Sequence, residues 1–233
     1  MKREISIDCL CYSLKADFYE TDSDQIMLAL PGYTSTKAKY AGMIDYVVDR
    51  TGISALVLDY RGHGESPFDL KDLRRADNFN DVVVAFDWIK TNYPDKKIIV
   101  HGTSYGGFHA AYLTKFREFE RLLLRVPATY PEESLYTVIG SMNDPHGGRY
   151  RFEPQNYTDH WLFTHTQSVK NDTFVVTHQY DDVCPPVSTQ PFVDAFNAKH
   201  WEAPGFKHGF SESDATDDLL EQYYQKIADW ILE

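Results

Sequence analysis

The stretch Lys97-Ile98-Ile99-Val100-His101-Gly102-Thr103-Ser104-Tyr105-Gly106-Gly107 constrains this chain more than any other. Ile98–Val100 is a continuous apolar run of strand length, and Phe108-His109-Ala110-Ala111-Tyr112-Leu113 reads as a helix. Between them stands Gly102-x-Ser104-x-Gly106. The pentapeptide alone also occurs by chance in Gly-rich turns; the strand before it and the helix after it give it meaning. A serine hydroxyl is a poor nucleophile until a base takes its proton, so it must project from the sheet toward that base. A sharp strand-to-helix turn does this but crowds the backbone, and Gly102 and Gly106, lacking Cβ, relieve the crowding. The helix that follows aims its N-terminal N–H groups at the place where an oxyanion forms.

The remaining pattern decides what kind of sheet carries this turn. Residues 3–20 form two strands with alternating apolar positions (Ile5, Ile7, Cys9, then Leu14, Ala16, Phe18), and Gln25–Leu30 is a third strand ended by Pro31-Gly32. Tyr40, Met43, Ile44, Val47 and Val48 have helical spacing, and Gly52 stops that helix. Ala55–Leu58, Leu122–Val126, Thr173–Thr177 and Trp201–Ala203 are further short strands. Helices are expected at Asn80–Tyr93, Pro191–Ala198 and Asp217–Leu232, the last amphipathic through Leu219, Leu220, Tyr223, Ile227 and Trp230. From the third strand onward strands and helices alternate, which predicts a doubly wound, mostly parallel sheet with antiparallel strands at one edge. No repeat or linker interrupts it, so residues 1–233 read as one domain. Ligands of such sheets sit outside the carboxyl ends of the strands.

Composition narrows the partners. The net charge of −12 argues against nucleic acid and anionic membrane surfaces, which call for basic patches. No apolar run of spanning length and no signal-peptide core is present, and three sparse cysteines read as free thiols of a cytoplasmic protein. Cys9 and Cys11 are expected on one face of a strand, poorly placed to bridge. No Cys/His spacing suggests zinc, so neither a metal nor an organic cofactor is expected.

A serine nucleophile needs an imidazole base, and the imidazole needs a carboxylate to fix its tautomer. Polar residues follow the strand ends in the order Ser104, Asp181-Asp182, His208. Leu30-Pro31-Gly32-Tyr33, Asp59-Tyr60-Arg61-Gly62-His63-Gly64-Glu65-Ser66, Gly102-Thr103-Ser104-Tyr105-Gly106-Gly107, Asp181-Asp182-Val183-Cys184-Pro185 and Lys207-His208-Gly209-Phe210 together resemble a small α/β-hydrolase over nearly the whole chain. The Ser-Tyr-Gly-Gly elbow is similar to that of the prolyl-oligopeptidase-like serine hydrolases, and the shortness of the chain points to an esterase-like member. The resemblance implies an eight-stranded sheet with helices on both faces and a small cap insert at about 128–170. It also implies a triad of Ser104, His208 and Asp181, the last chosen over Asp182 by the Asp-x-x-x-Pro spacing. The oxyanion donors it implies are the N–H groups of Tyr105 and of Tyr33 or its immediate neighbour in that loop. Many relatives have His-Gly where this chain has Pro31-Gly32; only a backbone N–H is needed there.

These features predict a serine hydrolase that acts on small carboxylic esters through an acyl-enzyme. The alternatives are a peptidase or amidase with the same triad and an inactive hydrolase fold used for binding. Other histidines have simpler readings: His63 in a structural turn, His101 in the core, His109 packed on the elbow helix, and His146, His160 and His165 on the surface of the insert. After a crossover helix at Thr158–Val169, about thirty residues remain for a lid. Its Tyr130, Leu135, Tyr136, Val138, Ile139, Met142, Tyr150 and Phe152 suggest an aromatic and apolar pocket for short or aryl acyl groups.

Overall fold

The computed structural model describes residues 1–164 and 172–233. In these residues eight strands form one sheet: β1 (Lys2–Asp8), β2 (Ser13–Tyr19), β3 (Gln25–Leu30), β4 (Ser54–Asp59), β5 (Lys97–Thr103), β6 (Arg121–Arg125), β7 (Thr173–His178) and β8 (Lys199–Ala203). Their spatial order is β1-β2-β4-β3-β5-β6-β7-β8. β1 with β2 and β2 with β4 are antiparallel, and every later pair is parallel. This is the α/β-hydrolase fold.

The continuous apolar runs follow from burial on both faces. Ile26, Leu28, Leu30, Leu56, Leu58, Ile98 and Val100 pack on one side with α2 (Arg75–Asn92) and α3 (Tyr105–Leu113). Met27, Ala29, Ala55, Val57 and Ile99 pack on the other with α1 (Ala41–Thr51) and α6 (Asp217–Leu232). The chain leaves β3 through α1 to β4, then returns through α2 to β5 on the other side of β3. Loops therefore part at the carboxyl ends of β3 and β5, where Pro31–Tyr33 and the elbow meet.

Some element bounds differ from the sequence expectation. α2 begins at Arg75 rather than Asn80, because its first turns bury polar side chains: Arg75, Asn78 and Asp81 are all 0% exposed. Apolar spacing does not register such a face. α5 (Pro186–Ala195) begins before Pro191, with Pro186 in the first turn, where its missing N–H leaves no helical bond unmade. Cys9 and Cys11 fall in the turn between β1 and β2 rather than on a strand; all three thiols are free.

Between β6 and β7, residues 127–164 run through short helical turns, including α4 (Gly148–Arg151). Thr158–Thr164, the expected start of the crossover helix, contains turns and no helix; the rest of that span lies outside the described residues. Two buried arginines hold the insert down. Arg75 donates to the carbonyls of Ser134 and Pro145, and Arg151 to those of Thr129, His146 and Val183. Both guanidiniums lie over the Tyr130 ring, at 4.1 and 4.9 Å from its centroid. Among the described residues no helix is long and apolar enough to cross a membrane.

Candidate active site

β5 ends at Thr103 and α3 begins at Tyr105, so Ser104 makes the whole turn. Its φ of 51° and ψ of −110° lie where side chains are crowded, a strain that surrounding contacts must hold. They do so through the main chain. Ser104 N–H donates to the Arg125 carbonyl at 2.9 Å, and the Ser104 carbonyl accepts from Phe108 and Ala128 at 3.1 and 3.0 Å. The two motif glycines are required by close approach. A Cβ on Gly102 would stand 2.3 Å from the Gly106 carbonyl oxygen, and one on Gly106 2.0 Å from that of Leu30. Tyr105 is fixed from beneath, its hydroxyl donating to Asn78 Oδ1 at 2.9 Å.

His208 rides on the loop after β8 and turns its ring to the elbow. Its Nε2 is 3.0 Å from Ser104 Oγ, and its Nδ1 is 2.8 and 3.0 Å from the two Asp181 carboxylate oxygens. An ionised carboxylate only accepts, which assigns the proton to Nδ1 and leaves Nε2 bare to receive one from the serine. The loop is tied at its ends: Lys207 N–H donates to Ser213 Oγ, Ser213 Oγ–H donates to the Gly209 carbonyl, and His178 Nδ1 meets the Lys207 carbonyl. Asp181 Oδ1 also accepts the N–H groups of Val183 and Cys184, each at 2.8 Å. Burial alone would raise the Asp181 carboxyl; the hydrogen bond and charge of His208, with those two N–H groups, outweigh it and hold the acid below its ordinary range. Asp182 is exposed and has no bond to His208.

The N–H groups expected to hold an oxyanion are those of Tyr105 and of the β3 loop at Tyr33. That of Tyr105 is in the first helical position, where no carbonyl of the helix reaches it. In the β3 loop, Gly32 N–H is committed to Tyr40 Oη at 3.1 Å, while Tyr33 N–H has no acceptor among the described residues. Of these two, Tyr33 is the one whose N–H is uncommitted among the described residues. Tyr60 Oη, donating to the Pro31 carbonyl at 3.0 Å, holds the loop.

Ser104 and His208 open into a cavity of about 660 Å³. Its walls include Tyr33, Tyr40, Tyr130, Phe210 and Tyr224, but also Lys39, Arg125 and Arg151, with Glu212 at the rim. The insert contributes Tyr130, His146 and Arg151; of the aromatic and apolar set expected of a lid, Tyr130 alone is in the wall. Leu135 and Ile139 are buried in the body, and Tyr136 and Phe152 point to solvent. His146 is exposed and edge-on to Tyr33, with ring centroids 4.9 Å apart. His160, expected at the surface, is buried and stacks on Tyr157. His63, His101 and His109 are buried among packed rings and backbone, away from the cavity wall; His165 lies outside the described residues. Asp181, Cys184 and His208 bring three ligand-type atoms within 4.8 Å of one another. Burial pushes the Cys184 thiol up to about 12, so it stays protonated, and the other two are engaged with each other.

The family profile described as "Serine aminopeptidase, S33" matches residues 21–148. No curated protein sequence matches the chain. Among solved structures, the chain is similar to Est1E of Butyrivibrio proteoclasticus, a structure with ferulic acid bound, at a TM-score of 0.75 and 17% identity, covering 98% of this chain and all (100%) of that one. The Pyrococcus furiosus esterase Pf2001 superposes at 0.68 with 20% identity, covering 99% and 91% of the two chains. An α/β serine hydrolase without a lid from Xanthomonas campestris superposes at 0.67 with 14% identity, covering 98% and 94%. At these identities the likeness is one of fold.

Proposed function

The chain belongs to the serine aminopeptidase family of hydrolases, matched over more than half its length, and from that premise we propose that it is a serine esterase. Its substrates are small carboxylic esters with short or aromatic acyl groups, cleaved through an acyl-enzyme by residues 1–233 acting as one hydrolase domain. The observation that carries this reading is the hydrogen-bonded row of Ser104 Oγ, His208 and Asp181 at 3.0 and 2.8 Å.

Ser104 Oγ attacks the ester carbon as its proton passes to His208 Nε2. Asp181 stabilises the imidazolium so formed without taking the proton. The carbonyl oxygen becomes an oxyanion that accepts from the N–H groups of Tyr33 and Tyr105, each worth about 3 kcal/mol in the transition state. Collapse breaks the bond to the alcohol, which leaves with the proton from Nε2. Water then repeats the sequence on the acyl-serine, releasing the acid and restoring Ser104. No metal or organic cofactor enters these steps. Three free thiols accord with a cytoplasmic setting.

The charge of the cavity favours esters over removal of an N-terminal residue. An aminopeptidase must bind a free ammonium group. Here Lys39, Arg125 and Arg151 line the wall, and Glu212 offers one exposed carboxylate at the rim. The aromatic walls and a volume of about 660 Å³ suit a compact acyl group. Measuring kcat/KM across p-nitrophenyl esters of increasing chain length, beside aminoacyl amides, tests the reading. A maximum at short or aryl acyl groups is expected; a maximum at long chains, or faster cleavage of an amide than of any ester, overturns it.

A further inference from the structure

Among the described residues, one guanidinium of the cavity wall has no hydrogen-bond partner. Arg125 ends β6, and its main chain is fixed beside the nucleophile by the bond from Ser104 N–H. Alternation along β6 sends Leu122 and Leu124 to one face of the sheet and Leu123 to the other. Arg125, two residues after Leu123, leaves on the α1 and α6 side. There it forms cavity wall together with Lys39, Tyr40, Met43, Phe210 and Tyr224. It is 7% exposed, and its Cζ stands 4.1 Å from the centre of the Phe210 ring and 6.0 Å from that of Tyr40.

Among the described residues no carbonyl or carboxylate accepts from a guanidinium nitrogen of Arg125, and its Nε is both buried and unsatisfied. Other arginines of the chain are provided for: Arg61 by Asp81, Arg117 by Asp87, Arg121 by the carbonyls of Trp230 and Ile231, and Arg75 and Arg151 by carbonyls of the insert. The charge of Arg125 is felt locally. Added to burial, it helps push His101 and His178 down to about 3. A buried charge without an acceptor is strongly destabilising, so a group that spends its working life unpaired needs a reason. The Phe210 ring covers the guanidinium at its Cζ, and Arg125 is part of the cavity wall, so a ligand in the cavity is the acceptor within its reach.

We propose that Arg125 binds a carboxylate carried by the substrate, so that the esters taken are anionic: half-esters of dicarboxylic acids, or esters of a carboxylate-bearing alcohol. The inference rests on the esterase reading and names its substrate class. A carboxylate fits better than a phosphate monoester. Its two coplanar oxygens and single charge match one guanidinium fork. The two charges of a phosphate would have only exposed Lys39 in addition, since Arg151 is spent on carbonyls, and Glu212 at the rim opposes them.

The test pairs each acid with its methyl-capped twin: 4-nitrophenyl hydrogen glutarate with 4-nitrophenyl methyl glutarate, and 4-carboxyphenyl acetate with its methyl ester. At least one acid should exceed its twin in kcat/KM by about tenfold or more, mainly through KM, as expected of a charge-assisted fork. Arg125→Met should abolish that ratio and Arg125→Lys should restore part of it. Free glutarate and benzoate should raise the melting temperature of the wild-type protein, a readout that needs neither turnover nor a variant. If both capped esters are turned over as fast as the acids, the inference fails while the esterase reading stands. If inorganic phosphate stabilises the protein and the carboxylates do not, the inference also fails. If no ester is turned over but carboxylates still bind and Arg125→Met loses them, the anion site stands and the esterase reading falls.

Discussion

Gly106→Ala tests the idea that the elbow, the third strand and the oxyanion loop are one rigid piece. A Cβ on Gly106 falls 2.0 Å from the Leu30 carbonyl oxygen and 2.7 Å from that of Pro31. Real Cβ atoms do not come within 3.0 Å of such neighbours, so the end of β3 must retreat by about 1 Å. The obstructing atoms are main chain at the end of a strand bonded on both sides, to β4 and β5, and just beyond it, and cannot swing away as a side chain would. Overpacking of this kind costs about 1–3 kcal/mol. The same retreat displaces Tyr33, three residues beyond Leu30, and a misplacement of about 1 Å at a reacting centre lowers the rate on the order of 10²-fold. Gly42→Ala is the matched control. It lies exposed in α1 with nothing within 4 Å of the added carbon, and should gain about 0.5–1 kcal/mol from helix propensity. Urea unfolding of both variants, with ester turnover measured on the folded fraction, gives the comparison. A Gly106→Ala protein as stable and as active as wild type refutes the reasoning, as does a reversed order of the two stabilities.

Two further outcomes follow from the same geometry. Asp181→Asn should lower kcat by about 10³- to 10⁴-fold, because an amide N–H in place of the accepting oxygen turns the imidazole to the wrong tautomer, whereas exposed Asp182→Asn should change it little; the opposite ranking in steady-state kinetics sinks the assignment. His101, buried and held neutral down to about 3, ordinarily titrates near 6.5, so between those values the unfolded chain binds a proton that the folded chain refuses, and stability falls as pH falls. That histidine alone contributes a slope of about 1.4 kcal/mol per pH unit, and His101→Phe should flatten the urea-derived stability profile between about pH 4 and 6 by that amount; parallel profiles contradict it.

The sheet was legible because the inner parallel strands β3 to β7 carry apolar runs with turn residues behind them, whereas the polar edge strand β8 showed only its last residues, and the elbow was legible because its glycines answer a local steric demand. The row of Ser104, His208 and Asp181 was suggested by chain order together with the α/β-hydrolase resemblance, since each residue follows a strand end and strand ends of a parallel sheet share one edge; the choice of Asp181 over Asp182 came from that resemblance. Arg125 was not legible in this way. In Leu122-Leu123-Leu124-Arg125-Val126 it looks like the charge that closes a strand. Only the pairing of Thr103 with Arg125 between β5 and β6 sets it beside Ser104, and only the folded chain shows that no acid among the described residues answers it. The insert misled for a related reason. Apart from Tyr130, which lines the cavity, Leu135 and Ile139 serve the body and Tyr136 and Phe152 face solvent, while buried Arg75 and Arg151, polar by type, organise the insert around Tyr130. Burial of polar groups with backbone partners leaves no periodic trace in a sequence.

The central claim is that Ser104 is a nucleophile activated by His208. Incubation with a fluorophosphonate, followed by mass spectrometry of the peptide that spans the elbow, measures this directly. The account predicts one phosphonyl group per chain, on Ser104, with labelling abolished in Ser104→Ala and slowed by orders of magnitude in His208→Ala, both variants remaining folded. An unlabelled wild-type protein, or an adduct that persists in Ser104→Ala, contradicts it.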